Sequence, residues 1–141
     1  MANDALVSAL LVSAGAVPGA LMRYGACNYA GKWGKSPVAL CAINVCGSLA
    51  LGTLVGMHAG ARSKALLGAG FCGAFTSFST FSTDTVRMIQ AERYAAATAY
   101  VAGTNVLSIG AAVAGVRLGS GIAGSKVLGP KLRAVLQIPP P

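Results

Sequence analysis

Runs without an ionisable residue divide this chain. Positions 5–22 carry none and end at Arg23, and 36–61 carry only His58. Positions 65–83 carry none and end at Asp84, and 94–116 carry none and end at Arg117. Each run is close to the about 18–25 apolar residues that a helix needs to cross roughly 30 Å of hydrocarbon. Lipid offers the backbone no hydrogen-bond partners, so apolar runs of this length become helices, which satisfy themselves. The pattern predicts an all-α membrane protein with four transmembrane helices, at about 5–23, 37–60, 65–86 and 94–117, in one domain over residues 1–118.

The connections are short. Tyr29 and Trp33 beside Lys32 and Lys35 form the aromatic and basic mixture of a headgroup interface. Arg62 to Lys64 reads as a tight turn and 87–93 as the last link. Residues 119–141, basic and ending in three prolines, read as a mobile tail. Asp4 and the lack of any Lys or Arg ahead of the first run do not fit a cleaved signal, so that run is expected to stay as a span.

Composition agrees. Of 141 residues 55% are hydrophobic and 10% charged, where a soluble domain carries about a quarter. The net charge of +8 raises nucleic-acid binding as a reading. The basic residues stand singly between uncharged runs, which suits anionic lipid headgroups and argues against a nucleic-acid partner. Lys and Arg number five on one predicted side (Arg23, Lys32, Lys35, Arg87, Arg93) and six on the other, the tail included. So even a balance permits insertion in both orientations, as an antiparallel dimer of identical subunits requires. The four cysteines form no CxxC pair and His58 has no partner at ligand spacing, so no zinc pattern is present. There is no HExxH, P-loop or Ser–His–acid set, and an enzyme is not expected.

Polar positions inside the spans carry the candidate chemistry. Asn44 and Ser48 share one helical face, continued by Gly52 and Gly56, where a second helix can approach closely. Asn44 fits two roles, a tie between helices or a group facing an ion. Tyr100, Thr104 and Ser108 fall at i, i+4 and i+8, with Asn105 alongside. A lone Ser or Thr in a membrane helix usually bonds its own i−4 carbonyl; three in register suggest a polar track. In the third run Gly68, Gly70 and Gly73 lead into Phe71, Phe75, Phe78 and Phe81. Six hydroxyl residues occupy eight positions there, 76–83. Lipid-facing helices do not carry so many, whereas transport proteins break helices in such sequence and expose backbone carbonyls to a cation. Phenyl edges are electropositive and can face an anion.

The segments Gly19–Tyr24 (GALMRY), Asn44–Ser48 (NVCGS) and Gly70–Phe81 (GFCGAFTSFSTF) resemble those of the CrcB/Fluc family of fluoride channels. The similarity runs in order from about Gly15 to Gly115. It implies a fluoride-selective channel in the cell membrane that exports cytoplasmic fluoride passively, built as a dual-topology antiparallel dimer with two narrow pores. By position, Phe78 and Phe81 correspond to the pore-lining rings, Asn44 to a donor for the anion and Arg23 to the basic residue near the vestibule. Gly73 and Thr76 correspond to the broken-helix positions whose carbonyls hold a structural sodium ion. Ser48, Tyr100, Thr104 and Ser108 correspond more broadly to the polar lining. Fluoride holds its water tightly, and closely spaced amide, hydroxyl and ring-edge donors replace that shell without a full charge to trap the ion. The chain departs from the family at Ala39-Leu40, where Gly-Thr is frequent, leaving an outer pore contact unassigned. Some relatives pair unlike subunits, so a heterodimer is also open. Two other readings remain: a small dual-topology antiporter, which normally needs an intramembrane carboxylate, and an assembly subunit without transport.

Overall fold

A computed structural model describes residues 2–135, with side chains described from Asn3 to Gly124. The described residues are helical, without a strand. Helix α1 spans Ala2–Gly31 and α2 spans Ser36–Gly56. Helix α3 begins at Ala61–Ser63, widens into a π-helix over Lys64–Cys72 and closes with Gly73–Phe75. After a break, α4 spans Phe78–Gln90 and α5 spans Tyr94–Val135. Four segments are long and apolar enough to cross a membrane: Asn3–Gly31, Ser36–Gly56, Ala61–Gln90 and Tyr94–Gly124. The four expected spans are therefore present, with the third broken as expected.

The ends of the helices differ from the sequence reading. Helix α1 does not stop at Arg23 but continues through Gly31. It closes where Gly34, at φ 65°, lets its own amide reach the Gly31 carbonyl and the Lys35 amide reach Ala30. The same closure ends α2 at His58 (φ 51°) and α4 at Glu92 (φ 57°), two residues that adopt the left-handed region less readily than glycine. Helix α5 runs on to Val135 through a stretch read as a tail. Gly119 lies within it, with its backbone pressed against the Thr53 carbonyl. Residues 136–141 of that tail lie outside the described residues.

Glycines set the packing. A Cβ on Gly15 would strike the Leu66 carbonyl, and one on Gly19 the Phe71 carbonyl, so α1 lies backbone to backbone along α3. Likewise Gly52 and Gly56 of α2 meet the carbonyls of Ala112 and Val116, while Gly115 and Gly119 of α5 meet those of Leu49 and Thr53. In both seams the matched positions rise together, so each pair of helices runs parallel. Without water to expel, close backbone approach of this kind is what holds helices together in lipid. Few side chains are buried. Leu40 is fully enclosed, and Ile43, Cys72, Phe81 and Ala97 are nearly so.

Candidate ion pathway

Thr76 and Ser77 turn to extended backbone (φ −80°, ψ 159° and φ −152°, ψ 109°) and interrupt the third span. Ser77 then caps α4, its Oγ accepting from the Thr80 amide at 3.2 Å and donating to the Thr80 hydroxyl at 2.8 Å. In a continuous helix the Ser77 amide would return to the Gly73 carbonyl. Here it donates to Asn44 Oδ1 at 3.0 Å. An N–H requires an oxygen opposite it, so this bond fixes the Asn44 amide with Nδ2 left as a donor. Gly47, three residues on, gives α2 room: a Cβ there would strike the Thr76 methyl.

Beside the break lies a cleft of about 220 Å³, open to the outside of the bundle. Asn44 and Ser48 reach it from α2, Thr76 from the break, and Phe78 and Phe81 from α4. Thr104, Asn105 and Ser108 reach it from α5. The rings of Phe78 and Phe81 stand 5.6 Å apart, centroid to centroid, and Phe81 lies 5.2 Å from the Tyr100 ring. Phe81 is buried while Phe78 is 78% exposed on this single chain. The hydroxyls of Ser13, Thr53, Ser82, Thr83 and Thr85 each donate to the carbonyl four residues back at 2.9 Å. Those of Tyr100, Thr104 and Ser108 are buried and make no hydrogen bond. An unpaired buried hydroxyl costs roughly 1–3 kcal/mol, so a row of three is an arrangement that a polar guest would relieve.

The structure thus brings Asn44, Ser48, Phe78, Phe81, Thr104 and Ser108 to one cleft, with Tyr100 behind Phe81. Gly73 and Thr76 share a neighbouring hollow of about 270 Å³ with Gly47 and Ser48. Arg23 is elsewhere, lining a larger cleft of about 610 Å³ with Asn28, Lys32, Ser36 and Thr80. Its Nε donates to the Ala74 carbonyl at 3.0 Å. Leu40, fully buried, lines none of these.

One residue escaped the sequence reading. By its place near the end of the third expected span, about 65–86, Asp84 reads as a boundary residue and not as a buried one. The helix continues to Gln90 and buries Asp84 to 7% exposure, with Oδ1 3.7 Å from Arg87 and Oδ2 unpaired. Its spacing was the missed signal, since Phe81 and Asp84 stand i, i+3 on the face that α4 turns inward.

The fold and cleft define a multi-pass membrane protein with polar groups gathered at a broken helix. The chain belongs to the CrcB-like family (Camphor Resistance, CrcB), which it matches over residues 10–116. It is similar to a protein of Synechococcus sp. (strain CC9605) named Fluoride-specific ion channel FluC 2, at 41% identity over 81% of this chain and 82% of that one. A Nitrobacter winogradskyi protein named Fluoride-specific ion channel FluC is 40% identical over 77% of this chain and 92% of its own. A Rhodococcus jostii protein named Fluoride-specific ion channel FluC 2 is 37% identical over 81% of this chain and all of its own. Proteins so named are channels, in line with the expectation that this chain is not an enzyme.

Proposed function

We propose that this chain is a subunit of a fluoride-selective channel and that the cleft at the break is its ion path. The observation that carries the reading is the pair of buried, unpaired hydroxyls at Thr104 and Ser108, facing the space that Asn44 and Phe81 also border. Asn44 Nδ2 and the hydroxyls supply donors, and the edges of Phe78 and Phe81 supply weaker positive potential. Together they replace water around a small anion without holding it by a full charge.

A second copy completes the path in this reading. The cleft is open on one chain and Phe78 is mostly exposed, so an antiparallel partner would close both. A related but unlike subunit is the variant of the same proposal. The residues at the break fit a sodium ion: Gly73 has lost its helical donor to Asn44, and the Thr80 amide that would serve Thr76 is turned to Ser77. The carbonyls of Gly73 and Thr76 would hold it, and its charge would neutralise oxygens that lipid cannot solvate.

Asp84 favours a second reading, proton-coupled exchange, because it supplies the buried carboxylate that such transport normally uses. Release of fluoride from liposomes holding the purified protein, followed by electrode with chloride as control, separates the two. A channel releases fluoride without a proton gradient and leaks no chloride. Silence in the absence of a proton gradient, with transport once one is applied, would favour exchange.

A further inference from the structure

We propose that Arg23 is a positioning residue that holds the break itself, beyond any contribution of its charge to gathering anions. A helix interrupted in lipid frees donors on one side of the gap and acceptors on the other. Asn44, from α2, takes the freed Ser77 amide at 3.0 Å. Arg23, from α1, takes a freed acceptor: its Nε donates to Ala74, whose carbonyl would otherwise have met the Phe78 amide. The break is bracketed by two side chains of opposite hydrogen-bonding character on two different helices.

Sequence spacing delivers Arg23 to that place. Gly15, Gly19 and Arg23 lie at i, i+4 and i+8 on one face of α1. The two glycines press against the backbone of α3 at Leu66, Phe71 and Phe75. One turn further on, the same face arrives at Ala74, in the last turn of α3. Carbonyls at a helix C-terminus carry the negative end of its dipole, where a cation is favoured, and a charged donor makes the stronger bond. Among the oxygens of the break, Ala74 is then served by Arg23, while Gly73 and Thr76 stay open to a cation. Shifting the end of α3 would shift α4 and with it Phe78 and Phe81. In that last step the inference rests on the proposed ion path.

The test compares Arg23→Lys and Arg23→Gln with the wild-type protein, full length and in the same detergent, by amide hydrogen exchange over residues 73–80. Lysine keeps the charge but carries a methylene where Arg23 has Nε. Both variants should exchange at Ser77 and Thr80 about tenfold faster, the factor of a lost charge-assisted hydrogen bond. Arg23→Lys should also lose fluoride efflux, and the deficit should persist at high salt, where a role through charge alone would be screened. Wild-type exchange in both variants overturns the proposal, whatever the flux. Faster exchange in variants of a protein that never conducts fluoride leaves the positioning role standing and removes the proposed function instead. If neither variant folds, the wild-type protein decides by magnetic resonance in bilayers: a through-space contact between Arg23 Nε and the Ala74 carbonyl carbon upholds the proposal, and its absence overturns it.

Discussion

Helices α2 and α5 run side by side in a single register, yet their two ends are built differently. Toward one end Gly52 and Gly56 meet the carbonyls of Ala112 and Val116, and the two backbones touch. Two turns earlier in the same register, Asn44 and Ser48 stand opposite Thr104 and Ser108, and the helices border a cleft. At the seam the polar group is satisfied locally, as Thr53 donates to Leu49. At the cleft Thr104 and Ser108 are left without partners. One end supplies cohesion and the other holds unspent hydrogen-bonding capacity. Close packing at the seam lets the cleft stay polar, because membrane helices have no hydrophobic effect between them to offset a loss of contact.

Breaking the seam should have the largest effect. Gly56→Leu or Gly115→Leu drives a side chain into backbone that has no rotamer to yield, and overpacking of that kind costs about 3 kcal/mol or more. Neither variant should give a monodisperse protein in detergent by size exclusion. At the cleft, Asn44→Leu strands the Ser77 amide and should lower stability by about 1–3 kcal/mol, read as thermal unfolding in detergent, along with flux. The two rings should come apart under the same measurements. Phe81→Ala removes a buried ring and should cost about 3 kcal/mol, whereas Phe78→Ala, largely exposed on the single chain, should cost far less. Both should reduce fluoride efflux. Their double substitution should end it, while a mere assembly subunit would show altered dimerisation or nothing. The smallest contrast is between hydroxyls. Thr53→Val should leave flux unchanged. Thr104→Val removes an unsatisfied group, so it should hold or slightly raise thermal stability, by up to about 1 kcal/mol, while slowing fluoride efflux.

The number of spans was legible because it follows from length and hydropathy, which lipid enforces without regard to partners. The break was legible too, since hydroxyls at 76, 77, 79, 80, 82 and 83 have no place on a lipid-facing helix. The ends of the helices were not. His58 and Glu92 close α2 and α4 with positive φ, where glycine is the usual marker. Gly119, first residue of the expected tail, is a packing contact inside α5. The roles of Asn44 and Arg23 were half legible. Their types suggested an anion, but the Ser77 amide and Ala74 carbonyl they serve belong to another span, more than 30 residues away. The burial of Asp84 was not legible from its charge, which marks the end of an uncharged run; only its spacing from Phe81 points inward.

The most direct test of the account is fluoride efflux from liposomes by Asn44→Asp beside the wild-type protein, at equal amounts of folded protein. A carboxylate keeps an oxygen for the Ser77 amide, so the break should survive. It removes the Nδ2 donor and sets a negative charge in the cleft, which an anion cannot approach closely. The account predicts rapid, chloride-free release of fluoride by the wild-type protein and none by a folded Asn44→Asp. Equal fluoride release by both proteins would contradict it, because the anion would then be passing somewhere other than this cleft.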